Sequence, residues 1–242
     1  MKYKPYSFSK IKTFQQCPQK FNWQYINKID IDKNFVDPSF FVRGRFIHQF
    51  IANKLSGGDG NINGFTDLLT HDKLDLINHA DQMLENEYLQ YTFNLEHTKV
   101  EKRIKLSDTL LPTNKNHLFV GAIDYFAVED DFATIIDWKS GKYRDNPSFD
   151  QLELYAIWII ETYPKVDEID LCFFYIEEEK FIINTITREL VIKFKEKLLL
   201  EIQEIENTQI FTINPTGGCK YCAFIDTCIE KYNDIRVINL KQ

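Results

Sequence analysis

The sequence predicts an α/β fold, a mixed central sheet flanked by helices, and three observations carry that prediction. Residues 7–91 are dominated by helical periodicity. Three short apolar or alternating segments follow at 98–106, 117–128 and 132–139, as strands do. A helix-length run, two more strand-length runs and a long amphipathic run then complete the order α-α-α-β-β-β-α-β-β-α, before a cysteine-bearing tail of little regular pattern.

The elements can be justified in turn. Residues 7–26 read as helix, capped by Ser7 or Ser9, with Ile11, Phe14, Phe21 and Tyr25 on one side. Pro18 interrupts this helix directly after Cys17, because proline lacks the N–H and clashes with the preceding turn. Asp37-Pro38 reads as a cap followed by proline at the first helical position, opening a helix to about Leu55 that Gly57-Gly58 stops. A Gly/Asn-rich loop at 59–65 precedes helix in one or two pieces over 66–91. Glu129-Asp130-Asp131 suits a tight hairpin between the second and third strands, and Gly141 ends the third. Residues 148–162 read as helix ended by Pro164. Strands at 168–177 and 180–187 flank the turn Glu177-Glu178-Glu179. A helix over 188–206 places Leu190, Ile192, Phe194, Leu198 and Ile202 at its apolar positions. No internal repeat or low-complexity tract interrupts this order.

Composition narrows the class. With 44% apolar and 27% charged residues in 242, the chain is neither disordered nor fibrous. No apolar run approaches the roughly 18–20 residues of a membrane span. The start, Met-Lys-Tyr-Lys-Pro-Tyr, lacks a signal-peptide core, so a soluble, cytoplasmic protein without a membrane partner is expected. The net charge of −7 speaks against a polyanion partner, but it is unevenly spread. Residues 1–50 hold nine Lys/Arg against three acids, a local +6, leaving −13 for the rest. A basic segment on an acidic body fits a nucleic-acid partner or an ordinary solvated face.

The chemistry-bearing stretch is Val120-Gly-Ala-Ile-Asp-Tyr followed by Ile135-Ile-Asp-Trp-Lys-Ser-Gly141. Residues two apart on a strand share a face, so Asp137 and Lys139 project together at the end of an apolar strand. Asp124, on the neighbouring hairpin strand, reaches the same place. Two carboxylates and a lysine at a strand end meet the needs of metal-assisted phosphodiester hydrolysis. Hard oxygen ligands hold Mg²⁺ or Mn²⁺, the metal activates phosphate and water, and the lysine steadies developing negative charge. An isolated Asp-x-Lys is usually an ordinary polar strand end. Here Gln151 and Tyr155 lie i,i+4 on the next helix, His48 lies mid-helix beside Gly44, where another backbone is expected to approach, and Glu101 sits on the first strand.

Cys17, Cys172, Cys219, Cys222 and Cys228 make an odd count, a poor disulfide framework. Cys172 lies in the apolar run Ile-Asp-Leu-Cys-Phe-Phe-Tyr and reads as a small buried hydrophobe. Cys219-x2-Cys222-x5-Cys228 offers three thiols and needs a fourth ligand, for which Cys17 is the candidate. Such spacing holds either a tetrahedral zinc or an iron–sulfur cluster, and spacing alone favours zinc.

Taken together, the chain resembles the PD-(D/E)XK nucleases, specifically the RecB-like branch with CRISPR-associated RecB-like exonucleases and AddB-type nuclease domains. The matching pieces are Ser7-Phe-Ser-Lys-Ile-Lys-Thr-Phe-Gln-Gln-Cys-Pro-Gln-Lys-Phe21, Gly44-Arg-Phe-Ile-His48, Gly121-Ala-Ile-Asp124, Asp137-Trp-Lys-Ser-Gly141, Gln151-Leu-Glu-Leu-Tyr155 and Cys219-Lys-Tyr-Cys-Ala-Phe-Ile-Asp-Thr-Cys228. They span nearly the whole chain in the family's order. The resemblance implies a restriction-endonuclease-like fold in one domain, with a helical part at 1–95, a nuclease core at 96–207 and a cluster-binding tail at 208–242. It implies that Asp124, Asp137, His48 and the backbone carbonyl of Trp138 ligate Mg²⁺ or Mn²⁺ and that Lys139 is the catalytic lysine. Gln151 and Tyr155 match the helix motif that shapes the site and contacts DNA, while Glu101 has only a loose counterpart. Asp137 stands where many members have Glu, and a shorter carboxylate still ligates metal. For the cysteines the resemblance implies a [4Fe-4S] cluster on Cys17, Cys219, Cys222 and Cys228, pinning the tail to the first helix.

The implied function is a DNA exonuclease on single-stranded or unwound ends, with a helicase or CRISPR adaptation proteins as candidate partners. The alternative is a weakly or non-catalytic DNA-binding or adaptor subunit of a repair, recombination or CRISPR adaptation complex. Retention of Asp124, Asp137 and Lys139 together favours the enzyme. A zinc-stapled protein without nuclease function leaves that set unexplained.

Overall fold

The computed structural model describes residues 2–30, 39–62, 64, 65 and 70–241. The chain divides into two compact units, Asp37–Leu198 and a second made of Met1–Val36 with Leu199–Gln242. Among the described residues no helix is long and apolar enough to cross a membrane.

The larger unit is built on five strands, β1 (His97–Leu106), β2 (Phe119–Glu129), β3 (Phe132–Lys139), β4 (Glu168–Tyr175) and β5 (Lys180–Thr187). They lie in the order β1-β2-β3-β4-β5. All neighbours are antiparallel except β3 and β4, which run parallel. That exception has a covalent cause. Parallel strands need a crossover connection, and the long apolar run Leu152–Ile160 supplies it as a helix, Asp150–Thr162. The β2–β3 turn is as tight as expected, with Glu129 paired to Phe132 and Asp130 at a φ of 52°. Such a left-handed position suits Asp, whose short polar side chain tolerates it.

The first helices are α1 (Phe8–Gln16) and α2 (Pro18–Phe21), followed by a π-helical turn at Asn22–Ile26. Three more precede the sheet: α3 (Ser39–Leu55), α4 (Thr70–Leu84) and α5 (Glu87–Phe93). The crossover helix is α6. The helix expected over 188–206 is α7 (Arg188–Asn207). The expected Asp37-Pro38 cap lies outside the described residues. The core of the larger unit joins Phe46, Ile47, Phe50 and Ile51 of α3 to Leu76, Ala80 and Met83 of α4. It extends to Tyr125, Ile136, Trp138, Cys172 and Phe174 of the sheet. Cys172 is fully buried there, as a small hydrophobe should be.

Two expectations fail. Leu190 and Ile192 are exposed, and the buried stripe of α7 is instead Val191, Leu198, Ile202 and Ile205. Residues two apart cannot share one helical face, and the spacing of three to four that packs runs through Val191. The tail is also more regular than its pattern suggests. It forms a 3₁₀ turn at Gly217–Tyr221, α8 (Ile225–Tyr232) and α9 (Ile235–Lys241). These helices are shorter than the window over which periodicity declares itself.

In the smaller unit, Ser7 caps α1 by accepting from the Lys10 N–H, and Pro18 opens α2 rather than merely ending α1. Phe21 is its aromatic hub, edge-on to Phe14 at 5.4 Å and stacked on Phe211 of the tail at 6.3 Å. The tail is tied to the first helices by hydrogen bonds. The Gln19 N–H donates to the Thr212 carbonyl at 3.0 Å, and the Asn214 amide donates to the Gln16 carbonyl at 2.9 Å. With its amide turned so that nitrogen faces the Phe211 carbonyl, the orientation that satisfies both groups, the buried Gln19 side chain donates to that carbonyl at 2.7 Å and accepts from Trp23 Nε1 at 2.7 Å. Lys10, one of the basic residues counted toward a nucleic-acid path, is committed internally. Its ammonium donates to the carbonyls of Tyr3 and Pro5 and sits over the Tyr6 and Tyr25 rings.

Candidate active site and cysteine cavity

The site forms where the sheet opens. β2 and β3 are paired only up to Tyr125 and Ile136, while β3 continues to Lys139 alongside β4. Asp137, Trp138 and Lys139 thus leave β2 but keep a rigid partner. The Trp138 N–H donates instead to Asp124 Oδ2 at 3.0 Å. Side-chain alternation sends Ile136 and Trp138 into the core with α3 and turns Asp137 and Lys139 to the other face. There Lys139 Nζ meets Asp137 Oδ2 at 2.6 Å and lies 4.6 Å from the centre of the Phe173 ring.

On the other side of β2, the β1 pairing brackets Glu101 between Val100↔Tyr125 and Lys102↔Ile123. Glu101 has a φ of 48°. A non-glycine residue there is held against its preference, at a cost of about 1–3 kcal/mol, and such strain concentrates at functional sites. His48 of α3 places Nδ1 3.3 Å from Asp124 Oδ2. One donor atom from each of His48, Glu101 and Asp124 falls within 4.8 Å of the others. These three border an open cavity of about 480 Å³ whose wall includes Phe41, Arg45 and Gln49 of α3.

The electrostatics are those of crowded carboxylates. Burial pushes Asp137 up to about 6, with Asp124 adding to the shift and Lys139 opposing it. Burial likewise raises Glu101, and Asp124 adds to it. For His48, burial alone lowers the imidazole, but the Asp124 hydrogen bond and the carboxylates of Asp124, Asp137 and Glu101 prevail and raise it to about 9. A cluster that recruits a proton in this way attracts cations, and its oxygen-rich donors suit a hard divalent ion.

The structure brings together Asp124, Asp137, Lys139 and His48, and it adds Glu101 to the same place. Gln151 and Tyr155 share a face of α6, with the Gln151 amide donating to the Tyr155 hydroxyl at 3.1 Å. Tyr155 lies against β2 because Gly121 is there, since a Cβ on Gly121 would stand 2.6 Å from Tyr155 Cε1. Gly44 was expected to admit a backbone. What lies beside it is the side chain of Ser140, whose Oγ would be 3.2 Å from an added Cβ. Trp138 contributes a buried ring to the core. Phe41 and Gln49 escaped the sequence reading, and Arg45 entered it only within Gly44-Arg-Phe-Ile-His48, although their spacing of four residues was the available signal.

A second constellation lies wholly within the smaller unit. Cys17, Cys219, Cys222 and Cys228 line one cavity of about 230 Å³, together with Lys20 and Trp23. Cys17 is the extended residue between α1 and α2, and Cys219 sits in the 3₁₀ turn, where its Sγ accepts from the Thr216 N–H at 3.4 Å. Burial pushes the Cys228 thiol up to about 11, and the neighbouring Cys17, Cys219 and Cys222 add to the shift.

Residues 5–229 match the profile of the PD-(D/E)XK nuclease superfamily. A solved structure of a candidate exonuclease from Eubacterium rectale superposes with a TM-score of 0.52 at 10% identity, covering 83% of this chain and 79% of that one. At that identity the likeness bears on fold alone. A second solved structure, SSO0001, has a TM-score of 0.41 and 13% identity over 94% of this chain and 88% of its own. No curated protein matches the sequence.

Proposed function

The chain belongs to the PD-(D/E)XK nuclease superfamily, whose restriction-endonuclease-like fold its five-stranded mixed sheet shares, and from that premise we propose that it is a metal-dependent DNA exonuclease of the RecB-like, iron–sulfur type. The observation that carries the reading is the convergence of His48, Glu101 and Asp124 beside the ion-paired Asp137 and Lys139. Family members use divalent metals, and the donor set here fits Mg²⁺ or Mn²⁺. The carboxylates of Asp124 and Asp137, the His48 imidazole and the Trp138 carbonyl would hold the ion, with Glu101 adjoining. A bound divalent ion supplies Lewis-acid activation of the phosphodiester and of water.

The remaining chemistry belongs to side chains. Lys139, ion-paired with Asp137 at 2.6 Å, would place its ammonium where negative charge develops on the phosphate. The Phe173 ring behind it limits the directions it can take. Tyr155, pushed up to about 12 chiefly by burial, stays a neutral hydroxyl able to donate to a phosphate oxygen, and Gln151 holds it in place. Hydrolysis then joins a water oxygen to phosphorus and breaks one P–O ester bond, the leaving oxygen taking a proton.

Cys17, Cys219, Cys222 and Cys228 would hold the [4Fe-4S] cluster. The feature that supports this reading is the convergence of the four cysteines on one cavity of about 230 Å³. The cluster would be structural, closing the tail onto α1 and α2. The test is anaerobic purification followed by incubation with end-labelled single- and double-stranded DNA and Mg²⁺ or Mn²⁺. Progressive shortening from an end is expected, and intact DNA under every condition refutes the proposal.

A further inference from the structure

We infer that β5 is the docking edge for a second copy of this chain, the two β5 strands pairing antiparallel about a two-fold axis at Ile183 and joining two five-stranded sheets into one. The inference goes beyond the nuclease reading and stands without it.

The two edges of the sheet differ in kind. A sheet edge exposes unpaired N–H and C=O groups, and proteins guard such edges with charge, above all with lysine. β1 is guarded, for Lys99, Glu101, Lys102, Arg103 and Lys105 lie along it. β5 is not. From Phe181 to Thr187 it reads Phe-Ile-Ile-Asn-Thr-Ile-Thr, rich in β-branched residues, with no charge and no proline. Among the described residues, the backbone of 181–187 bonds only to β4. Asn184, Thr185 and Thr187 are exposed. Phe181 is 40% exposed although its ring stacks on Tyr88 at 5.4 Å and on Phe174 at 6.0 Å, so an aromatic shelf reaches the open edge.

Charge selects the occupant and its direction. Arg188 directly follows β5 and donates to the carbonyls of Ile160, Tyr163, Pro164 and Val166. Among the described residues it meets no carboxylate, so a fixed positive charge stands uncompensated at one end of the strand. At the other end, Glu178 accepts from the Tyr143 N–H at 3.1 Å. Its second carboxylate oxygen is buried and has no hydrogen-bond partner among the described residues. Opposite charges at the two ends of one strand complement a second copy laid antiparallel, which brings each acidic hairpin to the other's Arg188.

The same charges set the register. A two-fold axis normal to the sheet passes where a residue meets its own copy. Centred on Ile183, residues 180–186 pair and Glu178 falls level with Arg188. Centred on Asn184, residues 181–187 pair, but Lys180 then faces Arg188 and Glu179 faces Glu189. Like charges directly opposite are destabilising, so the first register prevails. It also sets Phe181 across from Thr185, on the side of the aromatic shelf. The candidate active site lies level with Lys180 through the row Lys139, Tyr175 and Lys180. The two-fold therefore puts the two sites at opposite ends of the joined sheet, where neither completes the other.

The test reads association directly. Light scattering on the 242-residue chain should give twice its 28.7 kDa at micromolar concentration and one copy on dilution. Amide exchange over 181–187 should slow as concentration rises, while exchange in β1 stays constant. Asn184→Lys guards the edge and should give a monomer with wild-type circular dichroism. Ile183→Cys should cross-link two chains on treatment with diamide. Residues directly opposite bring their Cα atoms to about 4.5–5.5 Å, within disulfide reach. In Asn184→Cys the two thiols are offset by two residues, about 7 Å along the strand. That variant should cross-link no more than wild type, whose own cysteines set the background. A wild type that stays monomeric at every concentration overturns the inference. So does a dimer whose 181–187 amides gain no protection, or a folded Asn184→Lys protein that still dimerises. Cross-linking through Asn184→Cys and not through Ile183→Cys overturns the register and the charge argument behind it.

Discussion

Asp124, Asp137 and Lys139 come from one hairpin and the strand end that follows it, whereas Cys17 and the other three cysteines come from opposite ends of the chain. The first site is hard, built of carboxylates, an imidazole and an ammonium in the sheet-bearing unit. The second is soft, built of thiols in the helical unit. The donors differ so completely that the two sets suit different ions. Their supports differ too. The carboxylates hang on paired strands with a fixed register, while the thiols rest on a helix junction, a 3₁₀ turn and a short helix. A hard site on rigid strands suits chemistry that must be positioned. A soft site on short elements suits a staple that organises its own surroundings.

The largest expected effect lies in the hard site. Lys139→Ala should lower cleavage by about 10²–10³-fold, the scale for losing a charge-stabilising donor, and Asp137→Asn should do at least as much without changing volume. Both should keep the wild-type far-UV circular dichroism. Cleavage at the wild-type rate by either variant sinks the nuclease reading and leaves the cysteine site standing.

Next come the cysteines. Anaerobically purified protein should be brown, and Ser at Cys17, Cys219, Cys222 or Cys228 should bleach it and raise protease sensitivity after about residue 207. Cys172→Ser should keep the colour, because Cys172 is buried in the other unit's core. Colourless protein with one zinc per chain would reassign the soft site without touching the hard one.

The two glycines of the hard site sharpen the contrast further. Gly121→Ala drives a Cβ to 2.6 Å from the Tyr155 ring. It should cost about 1–3 kcal/mol in a melting experiment, as overpacking does, and reduce cleavage as Tyr155 shifts. Among the described residues, Gly44→Ala meets only the Ser140 hydroxyl, at 3.2 Å. A rotatable side chain can give way, so its effect should be smaller, and equal losses in the two variants would argue against Tyr155 as a positioned group.

An effect confined to the smaller unit, and without consequence for cleavage chemistry, concerns Gln19. Gln19→Leu leaves the Phe211 carbonyl and Trp23 Nε1 without their partner. About 1–3 kcal/mol of local stability should be lost for buried groups so orphaned, read as faster proteolysis of the tail in the metal-free protein. If the tail is equally resistant in the variant, the hydrogen bonds to Gln19 do not hold it and the thiol site carries the whole load.

Much of this protein was legible in one dimension. Period-two strands, the 3.6-residue rhythm of α3 and α6, and the Pro18 break are local properties, and they put the five strands and most helices in place. Asp137 and Lys139 share a face by strand alternation, and Gln151 and Tyr155 by helical spacing, so those pairings followed from backbone geometry alone. Tertiary structure decided the rest, because it concerns groups far apart in sequence or conformations no pattern encodes. Only the parting of β2 from β3 beyond the Tyr125–Ile136 pair shows why Asp124 turns to the Trp138 N–H. Only packing forces Glu101 into a left-handed conformation beside His48. The stripe of α7 ran through Val191 rather than Leu190 and Ile192, since apolar residues exceed what one face can bury and packing chooses among them. The gathering of four thiols on one cavity likewise depends on contacts between the two ends of the chain, which local sequence can suggest by residue type but only folding brings about.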